Sequence, residues 1–445
     1  MKYKINDKIV GFIKKTDEKG RGVVELEGKH ALAYFTIPGE KISGTVSARI
    51  GGELRVRTDA VLEPSPDRVT PRCPSAGACG GCPWQMISYD RQSAMKLGIA
   101  NEAMQAENIP LAIKNFTPAA SQYYHRNRMD YVFGPGGELG LKKPEQWNTV
   151  LNLNSCFMLS PAAVKIMDIV REIAKASHAP FWDNRLHTGF WRYLVIREGK
   201  NTGERLVLIT TSAELEELPF KDELIETLKP LCTSLLWGVN PTITDLSIPK
   251  TIKALFGNEY LNEKINGLDY RIPCASFFQT NSEMSAALQK IVVEFAAPAA
   301  ADKVMDLYCG SGFLTLALAR AANQVIGVEL DDAAVAIARA NAELNKINNV
   351  DFRAGAAENL LGAALADMKP DTIVLDPPRS GLHPKALEAI TDSGAKRLVY
   401  VSCNPNTLAR DLKLILTKYS VEQARCLDLF PHTPHIETVV SLKLR

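Results

Sequence analysis

The chain has 445 residues, of which 46% are hydrophobic and 23% charged, and its formal net charge is +2. This length predicts two or three domains, and the composition is typical of a globular protein. The first residues, MKYKINDK, lack the apolar core of a signal peptide, and no run of about 18 apolar residues predicts a membrane helix. We therefore expect a cytoplasmic protein without membrane association, and nothing in the sequence indicates an obligate protein partner.

Residues 1–62 are predicted to form a small β-barrel. Short segments of alternating apolar and polar residues are separated by glycines, a pattern typical of closely spaced strands. The predicted strands are Ile9–Ile13, Gly22–Leu26, Ala31–Phe35 and Thr45–Arg49. The first sixty residues carry twelve Lys and Arg against eight Asp and Glu. This mild basic excess suits contacts with phosphate, although a solvated surface would have the same composition.

Residues 63–275 are predicted to form a mixed α+β domain that begins after a linker around Pro64 and Pro66. The pattern predicts helices and strands in no regular alternation. The helices are Tyr89–Ala106 and Pro161–Ala176, and the strands are Met129–Phe133, Tyr193–Arg197 and Leu206–Thr210.

Three cysteines open this central region in the pattern C-x5-C-G-G-C, formed by Cys73, Cys79 and Cys82, with Cys156 as a candidate fourth ligand. The chain has nine cysteines and no export signal, which argues against a disulfide framework. Four thiolates suit zinc or an iron–sulfur cluster. The spacing predicts a metal site but leaves the metal open. It differs from the C-x3-C-x2-C spacing of radical enzymes.

Residues 276–445 alternate between strands and helices, which predicts a parallel, doubly wound Rossmann-like sheet. In such sheets ligands bind beyond the carboxyl ends of the strands. Tyr308, Glu329, Asp376 and Cys403 all lie at or just after such ends. We therefore expect one cleft to collect these four side chains.

The segment Asp306-Leu-Tyr-Cys-Gly-Ser-Gly312 predicts a nucleotide-cofactor loop. Gly310 and Gly312 let the backbone approach a ligand closely, and Glu329 is placed to accept hydrogen bonds from ribose hydroxyls. Thr315 occupies the place of the third glycine of the dinucleotide fingerprint. This departure favours S-adenosylmethionine over NAD, because the former has no pyrophosphate. The alternative is a tight turn that binds no nucleotide.

Two further motifs follow later strands of this region. Cys403, in Val401-Ser-Cys-Asn-Pro405, is well placed as a nucleophile, although a buried cysteine is often only a core residue. Asp376 opens Asp376-Pro-Pro-Arg379, where the prolines stiffen the turn. Its alternative role is helix capping.

Five motifs occur in order and together carry a resemblance. They are Phe277-Phe-Gln-Thr-Asn281, Asp306-Leu-Tyr-Cys-Gly-Ser-Gly312, Asp376-Pro-Pro-Arg379, Ser402-Cys-Asn-Pro405 and Phe430-Pro-His-Thr-Pro-His-Ile-Glu437. The chain resembles the family of RNA uracil-5-methyltransferases over essentially its whole length. The amino-terminal barrel looks like that family's TRAM module, which binds RNA. The cysteine set looks like the 4Fe-4S site of its ribosomal-RNA branch.

The resemblance implies a reaction and a role for each matching residue. Cys403 would add to carbon 6 of uracil, which activates carbon 5 to take the methyl group, and Glu437 would then remove the carbon-5 proton. Asp376, Arg126 and Phe277 would hold the target base. The residues expected to contact S-adenosyl-L-methionine are Gln279, Tyr308, Gly310, Gly312, Glu329 and Asp376. We interpret His432 and His435 as residues that order the loop before Glu437.

The RNA target is expected to be a 23S ribosomal RNA uridine, with the T-loop uridine of transfer RNA as the main alternative. A base must leave its stack to reach Cys403, which favours a loop or bulge. Two other readings are a methylthiotransferase and a non-catalytic RNA-binding protein. The absent radical spacing opposes the first, and intact Cys403 and Glu437 oppose the second. An adenine amino-methyltransferase is disfavoured because Arg379 replaces the aromatic residue of its signature.

Overall fold

In the computed structural model, which describes residues 3–214 and 218–445, the amino-terminal strands close into a barrel in the order β1-β2-β3-β5-β4. The strands are β1 (Lys8–Thr16), β2 (Gly22–Leu26), β3 (Lys29–Ala33), β4 (Lys41–Ile50) and β5 (Glu53–Glu63). Alternate residues such as Ile13, Val24 and Val46 are buried inside. The predicted barrel is confirmed, but β5 was not among the predicted strands.

The central region is built on a mixed sheet in the order β13-β12-β11-β10-β7-β8-β9. Its strands are β7 (Arg128–Phe133), β8 (Leu139–Lys143), β9 (Gln146–Asn152), β10 (Trp191–Glu198), β11 (Arg205–Thr211), β12 (Ser234–Val239) and β13 (Thr251–Phe256). Helices α2 (Pro161–Ala176) and α3 (Lys221–Leu228) pack on it, and α1 (Tyr89–Ala106) precedes it. Every residue of β10 is buried, as expected for a strand covered on both faces.

The carboxy-terminal region is a doubly wound sheet in the order β18-β17-β16-β19-β20-β22-β21-β6. The strands are β6 (Asn115–Thr117), β16 (Lys303–Leu307), β17 (Gln324–Glu329), β18 (Val350–Ala354), β19 (Thr372–Leu375), β20 (Arg397–Ser402), β21 (Tyr419–Leu427) and β22 (Glu437–Leu444). The hairpin of β14 (Tyr260–Ile265) and β15 (Leu268–Pro273) precedes it. Strands β16 to β20 are parallel, and the predicted Rossmann-like arrangement fits this sheet.

Helices cover both faces of this sheet. They are α4 (Ser282–Ala296), α5 (Phe313–Ala319), α6 (Asp332–Leu344), α7 (Ala357–Met368), α8 (Pro384–Thr391) and α9 (Pro405–Ile415). Alternate residues of one strand, such as Val304 and Met305, enter separate apolar clusters on the two faces. Both faces of the sheet are therefore buried, and the ends of its strands are the parts left open to a ligand.

An early part of the chain completes this late sheet. Strand β6 pairs in parallel with β21 at the sheet edge, and α1 contacts α9. The segment between the barrel and the central sheet therefore packs against the carboxy-terminal layer.

Across residues 3–214 and 218–445, no helix has both the length and the apolar character needed to cross a membrane.

Candidate active site

Asp376, Cys403 and Glu437 come together at the same edge of the carboxy-terminal sheet. Asp376 directly follows β19 and Cys403 directly follows the neighbouring parallel strand β20. Strand β22 runs antiparallel to β20 and pairs Thr438 with Ser402, so its first residue, Glu437, lies at the same end as Cys403. The strand register thus brings two carboxyl groups and one thiol to one cleft.

The two carboxyl groups of this cleft are held largely out of water. Burial raises the pKa of Asp376 to about 7. Burial raises the pKa of Glu437 well above its ordinary value, and the neighbouring Asp376 carboxylate raises it further. Two neighbouring carboxylates resist ionising together, which favours the protonated form of Glu437. Such a group is suited to exchanging a proton with a bound ligand.

The thiol of Cys403 lies beside these carboxyls and beside a cation. Burial raises its pKa to about 11, and the negative charges of Glu437 and Asp376 act in the same direction. The Arg379 guanidinium opposes them through its charge and a side-chain hydrogen bond to the thiol. Arg379 was not predicted from the sequence as a site residue. Its position three residues after Asp376, in the Asp-Pro-Pro-Arg motif, could have indicated that it lies near the site.

The glycine loop after β16 forms the second half of the cleft. Tyr308, Gly310 and Gly312 have φ angles of 66°, 53° and 85°, which place them in the left-handed region. The Gly310 N–H donates to Oε2 of Glu329 over 3.0 Å, and the Asp331 N–H donates to its Oε1. These predicted cofactor residues are therefore neighbours, at the point where the strand order reverses between β16 and β19.

Thr315, which replaces the third glycine of the dinucleotide pattern, has a defined structural partner. Its hydroxyl donates to Oδ2 of Asp306 over 2.6 Å, and both side chains are buried. Burial raises the pKa of Asp306 to about 7. The Thr315 hydroxyl therefore supplies this buried carboxyl group, beneath the glycine loop, with a hydrogen bond that a glycine side chain could not make.

The Phe277–Asn281 motif separates into residues with different surroundings. Phe277 is 75% exposed, whereas Phe278 is buried in the core. Gln279 is half-buried, and its backbone oxygen accepts a hydrogen bond from Asn127 over 2.8 Å. Asn281 caps α4 through Met284 N–H and donates to Leu429 O over 3.1 Å, so it ties α4 to the loop before Glu437.

Arg126 lies with the cysteine set rather than in contact with Cys403. The charges of Cys82 and Cys156 raise the pKa of Arg126, against the effect of burial, which lowers it. The Arg126 backbone N–H donates to Met158 O over 3.0 Å. Its charge also lowers the pKa of His435, so Arg126 lies near both the cysteines and the segment that precedes Glu437.

The four predicted metal ligands are brought together from two separate segments. Cys73 and Cys156 both affect the pKa of Cys79 and of Cys82, which burial raises to about 11 and about 12. The Gly81 N–H donates to Sγ of Cys79 over 3.4 Å. Within the described parts of the chain, however, no group of three or more His, Cys, Asp or Glu is arranged to hold a metal ion. The metal site is therefore not shown.

Comparison with known proteins places this arrangement in a family. The family described as tRNA (Uracil-5-)-methyltransferase matches residues 243–445. An uncharacterised RNA methyltransferase of Caldanaerobacter subterraneus is 35% identical, with 96% of each chain covered. The tRNA (uracil(54)-C(5))-methyltransferase of Pyrococcus horikoshii is 32% identical, with 97% of this chain and 99% of that protein covered.

A solved structure extends the likeness to the whole fold. The tRNA (uracil-54, C5)-methyltransferase of Pyrococcus abyssi, in complex with S-adenosyl-L-homocysteine, is 28% identical with a TM-score of 0.80. The match covers 98% of this chain and 100% of that one. The chain therefore belongs to the tRNA (uracil-5-)-methyltransferase family and is an S-adenosylmethionine-dependent RNA methyltransferase.

Proposed function

We propose that this enzyme methylates carbon 5 of an RNA uridine through a covalent bond between Cys403 and carbon 6 of the base. The observation that carries the proposal is the convergence of Cys403, Glu437 and Asp376 at neighbouring strand ends. Carbon 5 of uracil is a weak nucleophile, and addition of a thiolate to carbon 6 makes it an enolate that can attack a methyl donor.

The proposed reaction forms and breaks each bond in turn. The Cys403 thiolate forms the S–C6 bond, and the electron pair of the C5=C6 bond moves into the enolate formed by C5, C4 and O4. Carbon 5 then takes the methyl group from the sulfonium of S-adenosylmethionine, which leaves as S-adenosylhomocysteine. Glu437 in its carboxylate form removes the carbon-5 proton and releases it to solvent before the next turnover. The C5=C6 bond forms again as the S–C6 bond breaks and the thiolate is released.

The surrounding residues have matching proposed roles. Arg379 favours the thiolate form of Cys403, because its positive charge and its hydrogen bond to the thiol both lower the pKa of Cys403. Asp376 accepts or donates a hydrogen bond at the uracil edge, and the exposed ring of Phe277 offers a face on which a flipped-out base stacks. Gln279, Tyr308, Gly310, Gly312 and Glu329 are the proposed cofactor contacts. Arg126, whose charge acts on His435, is proposed to help hold the target base.

The proposed RNA target is the T-loop uridine of transfer RNA. Two relatives that match nearly the whole chain are named as tRNA uracil-54 methyltransferases. The competing target is a 23S ribosomal RNA uridine. The sequence favoured that target through its cysteine set and its TRAM-like barrel. The proposed contribution of the barrel is to bind RNA phosphates away from the reacting base.

We also propose that Cys73, Cys79, Cys82 and Cys156 hold a 4Fe-4S cluster with a structural role. A four-iron cluster is wider than a single ion, so its thiolates need not converge as tightly as around zinc. Backbone N–H groups of Met158 and Leu159 reach Cys156, and the Arg126 cation lies beside Cys82, so negative sulfur would be stabilised there. Anaerobic purification should yield four irons and four sulfides per chain. One zinc ion instead would contradict the cluster.

The covalent step has a direct test. RNA containing 5-fluorouridine traps the adduct, because fluorine cannot leave as a proton does. The enzyme should form a denaturation-resistant RNA complex with it, and Cys403→Ala should form none. Cys232→Ala is the matched control, since that buried cysteine lies in the core of the central region, outside the proposed site. A persistent adduct in Cys403→Ala would refute the assignment.

The target has a separate test. Transfer RNA and ribosomal RNA from a deletion strain should be mapped for 5-methyluridine at nucleotide resolution. Loss at the T loop supports the proposed target, whereas loss at a 23S uridine alone replaces it with the target that was expected from the sequence.

A further inference from the structure

The loop that leads into Glu437 is fixed by a helix from a distant part of the chain. We call residues 428–436 the base loop; it connects β21, which ends at Leu427, with β22, which begins at Glu437. Helix α1 presents Tyr89, Gln92 and Lys96 to it at the spacing i, i+3 and i+7, which places them on one helix face. Each of these three side chains hydrogen-bonds to the base loop.

Lys96 and Asp428 form an ion pair in which both side chains are 0% exposed. The Lys96 Nζ donates to Asp428 Oδ1 over 2.6 Å and to the Phe430 backbone oxygen over 2.9 Å. A buried ion pair is a weak source of stability, because desolvation of the charges offsets their attraction. Its geometric effect is clearer, since one ammonium group joins two points of the base loop.

The Asp428 carboxylate accepts two further hydrogen bonds besides the one from Lys96. Its Oδ2 accepts from the Tyr89 hydroxyl over 3.0 Å, and its Oδ1 also accepts from the Phe430 N–H. The Tyr89 oxygen accepts in turn from the Ala119 N–H over 2.6 Å. The first turn of the base loop is therefore determined by contacts to α1 and to the segment after β6.

The middle of the base loop has a second anchor. Gln92 Oε1 accepts from the His432 N–H over 2.9 Å, and Gln92 Nε2 lies 3.1 Å from His432 Nδ1. The Trp84 N–H donates to the His432 oxygen over 2.9 Å, and Gln92 also donates to Trp84 O. The two anchors, Asp428 and His432, lie nine and five residues before Glu437, and they leave little freedom to the chain that enters Glu437.

We propose that Lys96, with Asp428 and Gln92, positions Glu437 for removal of the carbon-5 proton. This inference rests on the proposed function, in which Glu437 is the base. Lys96 is a positioning residue that contacts neither the RNA nor the cofactor in the proposal. Loosening the base loop should leave addition of Cys403 intact, because Cys403 follows β20, and should slow the proton removal that releases the product.

The test uses the full-length double variant Lys96→Met with Asp428→Asn. It removes both buried charges, keeps similar volumes, and removes the hydrogen bond to Phe430 O. With ordinary uridine RNA and methyl-labelled S-adenosylmethionine, we expect turnover to fall at least about tenfold, within the range that a positioned base contributes. Methylated RNA–protein adduct should accumulate. The rate of adduct formation with 5-fluorouridine RNA should stay within about twofold of the unmodified enzyme.

The matched control is Arg205→Met with Glu198→Gln, which neutralises a largely buried pair in the central sheet. It should show no adduct accumulation. If the Lys96–Asp428 variant does not fold, Gln92→Met replaces it, since it removes no buried charge and the same signature is expected.

The outcomes separate this inference from the proposed function. Absence of any adduct in the unmodified enzyme refutes the covalent mechanism itself. Normal turnover in a folded variant overturns the positioning role alone. Equal slowing of adduct formation and product release also overturns it, because the defect would then be general.

Discussion

At the scale of single residues, the most consequential neighbour of the Cys403 thiol is Arg379. Burial and the carboxylates of Glu437 and Asp376 raise the pKa of Cys403, and the Arg379 cation lowers it. Arg379→Met should therefore raise the pKa of Cys403 further. Below that pKa the thiolate fraction falls about tenfold for each unit of increase, so adduct formation at fixed pH should fall accordingly. The measurement is the rate of 5-fluorouridine adduct formation between pH 7 and 10.

The sign of the pH dependence follows from the direction of the pKa shift. Because the thiolate is the reactive form, the rate should rise with pH in both enzymes, and the Arg379→Met profile should be displaced to higher pH. Arg379→Lys keeps a positive charge and should lie between the two. Coincident profiles for all three proteins would show that Arg379 does not act on the thiol.

The residues of the site differ in how far the sequence could predict them. Asp376 and Cys403 follow strands in a predicted parallel sheet, so their meeting could be deduced from strand ends alone. Lys96 could not be found in this way. Its partner Asp428 is 332 residues away, and a lysine within a helix is ordinarily exposed. Long-range pairing leaves no periodic trace in the sequence.

At the scale of elements, the glycine loop allows a sharp comparison between two positions. A Cβ at Gly310 would meet no atom within 4 Å, whereas a Cβ at Gly312 would lie 3.3 Å from Ala338 Cβ and 3.4 Å from Phe352 Cζ. Gly310→Ala should cost about 1 kcal/mol of folding free energy from its left-handed φ. If the cofactor occupies this open space, the affinity of Gly310→Ala for S-adenosylmethionine should fall at least about tenfold.

Gly312→Ala serves as the comparison, because its added contacts fall on the protein itself. We expect the larger loss of stability there. Calorimetric titration with S-adenosylmethionine, together with thermal unfolding, separates the two effects. If Gly310→Ala binds S-adenosylmethionine with unchanged affinity, the cofactor does not occupy the space above Gly310.

Local pattern predicted the elements unevenly. Helices α1 and α2 were predicted with the bounds that the structure shows, and α2 has a clear apolar periodicity and begins at a proline. Strand β5 was missed because its charged residues, such as Arg57 and Asp59, mask the alternation. The three-residue strand β6 is too short to leave a pattern, and it is defined only by pairing with β21.

At the scale of the whole molecule, the barrel is joined to the central sheet by a charged contact. Glu145, in the turn between β8 and β9, accepts from Arg21 over 2.7 Å and from Arg55 over 2.8 Å. Both arginine side chains are less than 10% exposed, and Glu145 is 24% exposed. Glu145→Gln should cost about 1–2 kcal/mol, less than a fully buried pair, because solvent screens the carboxylate.

The expected consequence is a loosened barrel rather than a damaged cleft. The KM for RNA should rise while the KM for S-adenosylmethionine stays unchanged, and proteolysis near Pro64 should become faster. Glu172→Gln, which alters an exposed pair with Lys175, should have no such effect. Equal changes in both KM values would show that the contact supports the catalytic sheet instead.

The pairing of β6 with β21 also sets an order of events during synthesis. Strand β6 emerges about 300 residues before β21, a delay of roughly 15–60 s at 5–20 residues per second. During that interval the face of α1 that carries Lys96 has no base loop to contact. The carboxy-terminal sheet can close only after β21 and β22 have been synthesised, so the nascent chain must keep β6 and α1 available without committing them to other partners.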